Sequence, residues 1–118
     1  MRDAAFVAYV GCAFDNPSLP EAFLDDVADG TRPVLWMHYN IWKLAWRAGS
    51  SRLGFAYEST DDSGAYAAVS YKGVLLPRDP RTNLVQVRPV APWAKVLAVA
   101  LGRAGEEAPY AVWARNVL

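Results

Sequence analysis

The chain has 118 residues, 53% of them hydrophobic, and its formal net charge is zero at neutral pH. This composition excludes a disordered chain, and the length fits one small domain spanning residues 1–118. The absence of like-charge blocks argues against nucleic acid or an anionic membrane as a partner. One Cys and one His cannot build a structural zinc site or a disulfide framework. No apolar run is long enough to predict a membrane span, and no signal-peptide pattern opens the sequence.

Two uninterrupted apolar runs, residues 4–12 and 34–39, predict the first two strands. Neither run alternates between polar and apolar positions, which is typical of strands that are covered on both faces. Between them, Ser18 and Glu21 have the spacing of a capping box, and Gly30 has the position of a C′ residue. A helix between two strands predicts a right-handed βαβ unit with parallel strands.

The predicted first helix has an apolar face and an acidic face. The apolar face consists of Leu19, Ala22, Phe23 and Val27. The acidic residues near its end are Asp25, Asp26 and Asp29. We interpret these three as a solvated face. The alternative, an acidic metal site, has no supporting His nearby.

A second helix, residues 41–48, is predicted directly after the second strand. Asn40 has the position of its N-cap, where Asp or Ser would serve as well, and Gly49 ends it. Its core stripe is Ile41, Leu44, Ala45 and Ala48, whereas Lys43 and Arg47 are expected to face water. Trp42 and Trp46 extend the apolar surface, and we interpret them as core or domain interface in preference to a sugar-stacking platform.

The second half of the chain predicts antiparallel strands, since apolar residues alternate and turn residues recur. The predicted strands are residues 55–59, 65–71, 74–78, 84–90 and 110–115, and residues 95–101 fit either a strand or a helix. The fold class is therefore α/β in residues 1–53, followed by an antiparallel β meander in residues 54–118, which makes the chain α+β overall.

Polar and aromatic residues cluster where the two parallel strands end, the edge at which open α/β sheets bind ligands. The candidate ligand-binding residues are Asp15, Asn16, His38, Tyr39, Asn40 and Trp42. Each has a simpler structural interpretation: Asp15 as a turn former, His38 as a satisfied strand-end histidine, Asn40 as a helix cap. Cys12 is expected to be a buried apolar residue and not a nucleophile.

Several separated segments resemble an uncharacterised bacterial family of polysaccharide-deacetylase-like proteins. The similar segments are Tyr-Val-Gly at 9–11, Asp-Asn-Pro at 15–17, Leu-Pro at 19–20, Pro-Val-Leu-Trp at 33–36, Tyr-Asn-Ile-Trp at 39–42, Val-Ser-Tyr-Lys-Gly at 69–73 and Ala-Pro-Tyr-Ala-Val at 108–112. They occur in the same order and span almost the whole chain.

The resemblance implies an accessory region, a flavodoxin-like α/β segment followed by strands, which precedes the catalytic barrel of an exported enzyme. The metal-binding Asp and His motifs of that barrel have no match here. The resemblance also implies that an opening strand and helix would precede Met1, which would leave an apolar face near residues 4–10 uncovered. We therefore expect the isolated chain to form a homo-oligomer or to aggregate through that face.

The sequence thus predicts a non-catalytic accessory module that docks a deacetylase-like catalytic domain or a polysaccharide, with no cofactor implied. The alternative is a small stand-alone hydrolase with a pocket at Cys12, Asp15, His38 and Asn40. A third hypothesis is a truncated, functionless remnant, which predicts poor solubility and a broad thermal transition.

Overall fold

The computed structural model describes residues 6–30 and 32–114, which form three helices and eight strands. In chain order these are β1 (Val7–Gly11), α1 (Glu21–Asp29), β2 (Val34–His38), α2 (Ile41–Ala48), α3 (Ser50–Leu53), β3 (Phe55–Asp61), β4 (Tyr66–Tyr71), β5 (Val74–Pro77), β6 (Leu84–Pro89), β7 (Ala94–Gly102) and β8 (Glu107–Ala114). Positions 4, 5 and 115 of the predicted strands lie outside the described residues. The segment 95–101, left open between strand and helix, is a strand.

The parallel pairing predicted for the first two strands is confirmed, with β1 and β2 in register from Val7 opposite Val34 to Gly11 opposite His38. The prediction that both strands are covered on both faces is wrong. Side chains alternate along each strand between half-buried and exposed positions. An apolar run shows that a strand is able to be covered on both sides, but it does not show that a second layer is present.

α1 begins differently from the prediction. Pro20, not Ser18, is the N-cap, and no side chain caps the helix there. Gly30 adopts the left-handed conformation at the other end, as predicted. The buried residues are Leu24 and Ala28. The apolar face is therefore rotated relative to the predicted one, and Ala22 is exposed.

α2 has the predicted bounds and lies between two layers. Ile41, Leu44 and Ala45 are buried as predicted. The core around α2 includes Trp36 of β2 and Tyr57 of β3, which pack against its buried residues. Trp42 widens the apolar stripe of α2, and the helix therefore packs against residues of both β2 and β3.

The second half is antiparallel throughout the described strands, but its pairing is not that of a simple meander. β3 pairs with β6, and a separate four-stranded sheet has the order β5-β4-β7-β8. Only the β4–β5 and β7–β8 pairs join consecutive strands. β6 also lies against β8 and so brings the two sheets together.

Two groups of buried side chains hold the described residues together. The larger joins α1 and α2 to half-buried residues of β3 and β6, and the smaller consists of Leu84, Ala100 and Ala108 with Tyr66 against them. Leu84 lies at the start of β6, so this strand contributes to both groups. Of the helices in the described part of the chain, none is long and apolar enough to cross a bilayer.

Candidate functional site

Asn40 is completely buried at the end of β2, and its side chain points toward the β1–α1 loop, not along α2. The Asn16 N–H donates to Asn40 Oδ1 at 3.1 Å. Asn40 Nδ2 donates to Tyr9 Oη at 3.0 Å and to the Ala13 carbonyl oxygen at 3.1 Å. Asn40 therefore has the N-cap position without the N-cap hydrogen bond, and its amide holds the loop of residues 12–16 in place.

The backbone around this residue is unusual. His38 and Asn40 have φ values of 72° and 70°, in the left-handed region that few residues other than Gly adopt. Gly11, at the matching end of β1, has no space for a side chain, because a Cβ there would lie 2.7 Å from the Tyr39 backbone nitrogen. The two strand ends are thus in close backbone contact, which fixes where the following loops leave the sheet.

His38 connects the two halves of the chain. Its Nε2 lies 2.9 Å from the Asn83 carbonyl oxygen, so Nε2 is the protonated nitrogen that donates. The side chain of Asn83 donates to Tyr39 Oη at 3.2 Å. The ring of His38 also lies 3.8 Å, centroid to centroid, from that of Tyr39. These contacts fit the simpler interpretation of His38, a strand-end histidine with a satisfied ring nitrogen.

An aromatic cleft of about 370 Å³ opens beside this edge, lined by Phe14, Asp15, Trp42, Trp46 and Tyr57. Trp42 is buried and belongs to the core, as predicted. Trp46, one turn further on, is 73% exposed and is therefore not part of the core, whereas its other interpretation, a domain interface, stays a prediction. Its ring meets that of Tyr57 edge to face, at 6.3 Å and 83°.

Asp15, the charged residue that lines the cleft, forms an ion pair with the neighbouring Lys43. Lys43 Nζ lies 2.8 Å from Asp15 Oδ1 and also donates to the Asn16 carbonyl oxygen at 2.8 Å. The Lys43 side chain is only 24% exposed, so the prediction that it faces water is wrong. The cleft therefore offers the Asp15 carboxylate as an acceptor, and the neighbouring Lys43 cancels its charge.

Two of the three predicted acidic residues of α1, Asp25 and Asp29, have arginine partners on neighbouring helices. Asp25 accepts two hydrogen bonds from Arg47, at 2.7 and 3.0 Å, and Asp29 is paired with Arg52. The hydrogen bond from Arg47 lowers the pKa of Asp25, and it raises the pKa of Arg47. The solvated face predicted for α1 is thus a row of surface ion pairs. Among residues 6–30 and 32–114, no cluster of three or more His, Cys, Asp or Glu residues could hold a metal ion.

Cys12 is exposed, contrary to the prediction, because β1 ends one residue earlier. Of the predicted site residues, Asp15 and Trp42 line the cleft, Asn16 and Asn40 form its support, and Tyr39 contacts Phe14 at 5.4 Å. His38 points toward Asn83 instead. The structure adds the cleft residues Phe14, Trp46 and Tyr57, of which only Trp46 carried a sequence signal, its spacing of four from Trp42.

Nothing in the sequence indicated that Phe14 and Tyr57 share a cleft, because the β1–α1 loop and β3 are distant in sequence and are linked through Trp42 of α2. Their positions are set by the contacts of Trp42, which lies 5.6 Å from the Phe14 ring and 5.5 Å from the Tyr57 ring. Comparison of the chain with known protein families, curated proteins and solved structures finds no match.

Proposed function

We propose that this chain is a non-catalytic glycan-binding module and that the aromatic cleft is its binding site. The observation that carries the proposal is Trp46. An exposed indole ring is costly in water, and here it stands beside a concave surface lined by three further aromatic side chains. The C–H faces of pyranose rings pack well on such surfaces, as apolar ligand parts do in most binding sites.

The polar groups of the cleft favour an uncharged, hydroxyl-rich ligand. A phosphate or carboxylate ligand would need a cation that is not already paired, and a cationic ligand would need a free carboxylate. Asp15 and Lys43 neutralise each other at 2.8 Å, yet the Asp15 side chain is 63% exposed and able to accept from ligand hydroxyl groups. The volume of about 370 Å³ is at the lower end of the range of ligand pockets and fits a short stretch of a sugar chain.

The wider setting of this proposal rests on the sequence resemblance. We propose that the module accompanies a polysaccharide-deacetylase-like catalytic domain and that residues 7–48 correspond to the flavodoxin-like part of its accessory region. The parallel β1–β2 pair with α1 between the strands supports this assignment. In that setting the cleft would hold the polysaccharide near the catalytic domain.

Titration calorimetry with cellohexaose and with chitohexaose, which differ in the 2-acetamido group, tests the proposal. Trp46→Ala should weaken binding at least about 10-fold, because a stacked aromatic ring is lost, and should leave the melting temperature unchanged. The matched control is Trp113→Ala, since Trp113 is also largely exposed but lies on β8 and does not line the cleft. Asp15→Asn should weaken binding without abolishing it.

Two results would overturn the proposal: no binding of either oligosaccharide at millimolar concentration, or equal losses in Trp46→Ala and Trp113→Ala. The hydrolase alternative is tested in the same samples by following ester hydrolysis and acetate release from chitohexaose. Turnover that His38→Ala abolishes, with the fold retained, would favour the enzyme.

A further inference from the structure

The β1–β2 sheet has an uncovered side, which we term the outer face and which consists of Phe6, Ala8, Val10, Leu35 and Met37. All five side chains are apolar. The four larger ones have exposed fractions between 46% and 61%. The outer face is therefore a contiguous apolar surface without any charged group.

The opposite side of the same sheet is well covered. Tyr9 and Trp36 lie on it, with rings 4.3 Å apart, and Phe23 of α1 lies 6.0 and 6.1 Å from them. Parallel strands are found almost only in sheets that are covered on both faces. The helices of the described residues cover one face of this sheet, so the other lacks the layer that such strands normally have.

We propose that a second copy of this chain covers the outer face, so that the protein is a symmetric homodimer in which two β1–β2 sheets stack face to face. The outer face exposes on the order of 500 Å², comparable to the largest patches of ordinary monomers, which are often functional. Two such faces bury about 1,000 Å² together, which is the lower limit of a specific interface and predicts a reversible dimer.

Charge favours a second copy over another partner. A partner selected by charge would need complementary groups on the outer face, which has none. A chain with zero net charge meets no long-range repulsion from its own copy, and an apolar face apposed to itself places no like charges in contact. When two sheets stack about 10 Å apart, side chains of this size from the two faces interdigitate.

The dimer leaves the aromatic cleft open. Trp42 and Trp46 lie on α2, which packs on the inner side of the β1–β2 sheet, away from the outer face. The two surfaces are therefore independent, and a change in one is not expected to alter the other.

Sedimentation velocity of the full chain, over about three decades of concentration, tests this proposal. We expect a monomer–dimer equilibrium. Val10→Glu and Leu35→Glu should each raise the dimer dissociation constant more than about 100-fold, because a carboxylate would be buried without a partner. The matched control is Leu75→Glu: Leu75 is 65% exposed but lies on β5. The Leu75→Glu variant should dimerise with the same dissociation constant as the unchanged chain. Circular dichroism of all three variants verifies the fold.

A cross-link locates the interface directly. In a Cys12→Ala background, Ala8→Cys should be joined to the same residue of a second copy by a short bis-maleimide cross-linker, because Ala8 lies in the middle of the outer row of β1 and a sheet spacing of about 10 Å is too wide for a direct disulfide. A monomer at every concentration would overturn the proposal. So would a dimer that Leu75→Glu dissociates and Val10→Glu does not, or association that continues beyond the dimer, which indicates edge-to-edge pairing of strands.

Discussion

Replacement of Asn40 distinguishes two roles for its side chain: an ordinary helix cap, or a buried clamp, by which we mean an amide that holds the loop of residues 12–16 through its hydrogen bonds. A cap accepts one hydrogen bond and tolerates Asp or Ser, whereas the clamp uses one acceptor and two donors at once. Asn40→Ala removes all three hydrogen bonds and leaves the Asn16 N–H and the Ala13 carbonyl without their partner. At a φ of 70° a methyl side chain is also less favourable than the amide of Asn, which is tolerated there.

The expected loss in the free energy of unfolding is the sum of the hydrogen-bond and backbone contributions. Three net hydrogen bonds of about 0.5–1.5 kcal/mol each, and about 1 kcal/mol for the left-handed backbone, give about 2.5–5.5 kcal/mol for Asn40→Ala. Asn40→Asp keeps the acceptor for Asn16 but turns a second carboxylate oxygen toward the Ala13 carbonyl and buries a charge. It should be at least as destabilising as Ala at neutral pH and should recover part of its stability in acid, when the carboxyl group is protonated.

Urea denaturation monitored by tryptophan fluorescence gives the free energy of unfolding for Asn40→Ala, Asn40→Asp, Asn40→Ser and Asn40→Gly. The Gly variant keeps the backbone conformation and loses the hydrogen bonds, so its difference from Ala measures the backbone contribution alone. If Asp and Ser stay within about 1 kcal/mol of the unchanged chain and Ala costs no more than about 2 kcal/mol, the residue is an ordinary cap and the clamp is refuted.

Three further predictions concern the same edge and the helix surface. Gly11→Ala should lower the free energy of unfolding by at least about 2 kcal/mol in urea, because the new Cβ meets backbone atoms; Gly102→Ala, which meets the movable side chain of Glu106, should cost less. His38→Ala should cost about 1–2 kcal/mol in the same assay through the lost contact with Asn83, while oligosaccharide binding measured by calorimetry stays unchanged. Asp25 has a pKa below its usual 3.8 when folded, so its stabilisation is complete above that value and is lost as the pH falls through the lower folded pKa. Asp25→Asn should therefore be less stable than the unchanged chain at about pH 6, and this difference should shrink as the pH is lowered below the usual Asp pKa, as thermal melts would show.

Local patterns in the sequence predicted the order of β1, α1, β2 and α2, but not the N-cap of α1 or its buried face. The apolar spacing of α2 and the glycine after it predicted its bounds, Ile41–Ala48. The pairing of β3 with β6 could not be predicted, because about two dozen residues separate these strands and no turn links them. The exposure of the outer face could not be predicted either, because the same apolar sequence is compatible with a strand that is covered on one face or on both.

The location of the site could be predicted from the sequence, but the directions and contacts of its side chains could not. Parallel strands bring their ends together, so Asp15 and Asn40 were expected at one edge, and they are there. The direction of the Asn40 side chain depends on its left-handed backbone, which the residue type permits but does not require. The pairing of Lys43 with Asp15 depends on a loop whose path the clamp determines.

The double role of Trp42 limits how this protein can diversify. Its ring belongs to the main core and also lines the cleft, so a substitution that reshapes the cleft at this point also weakens packing between α2 and β3. Phe14, Asp15 and Trp46 are exposed and free of that constraint. Relatives that acquired different ligands would therefore be expected to vary at these three positions and to keep Trp42, so that the surface of the cleft evolves while its base stays fixed.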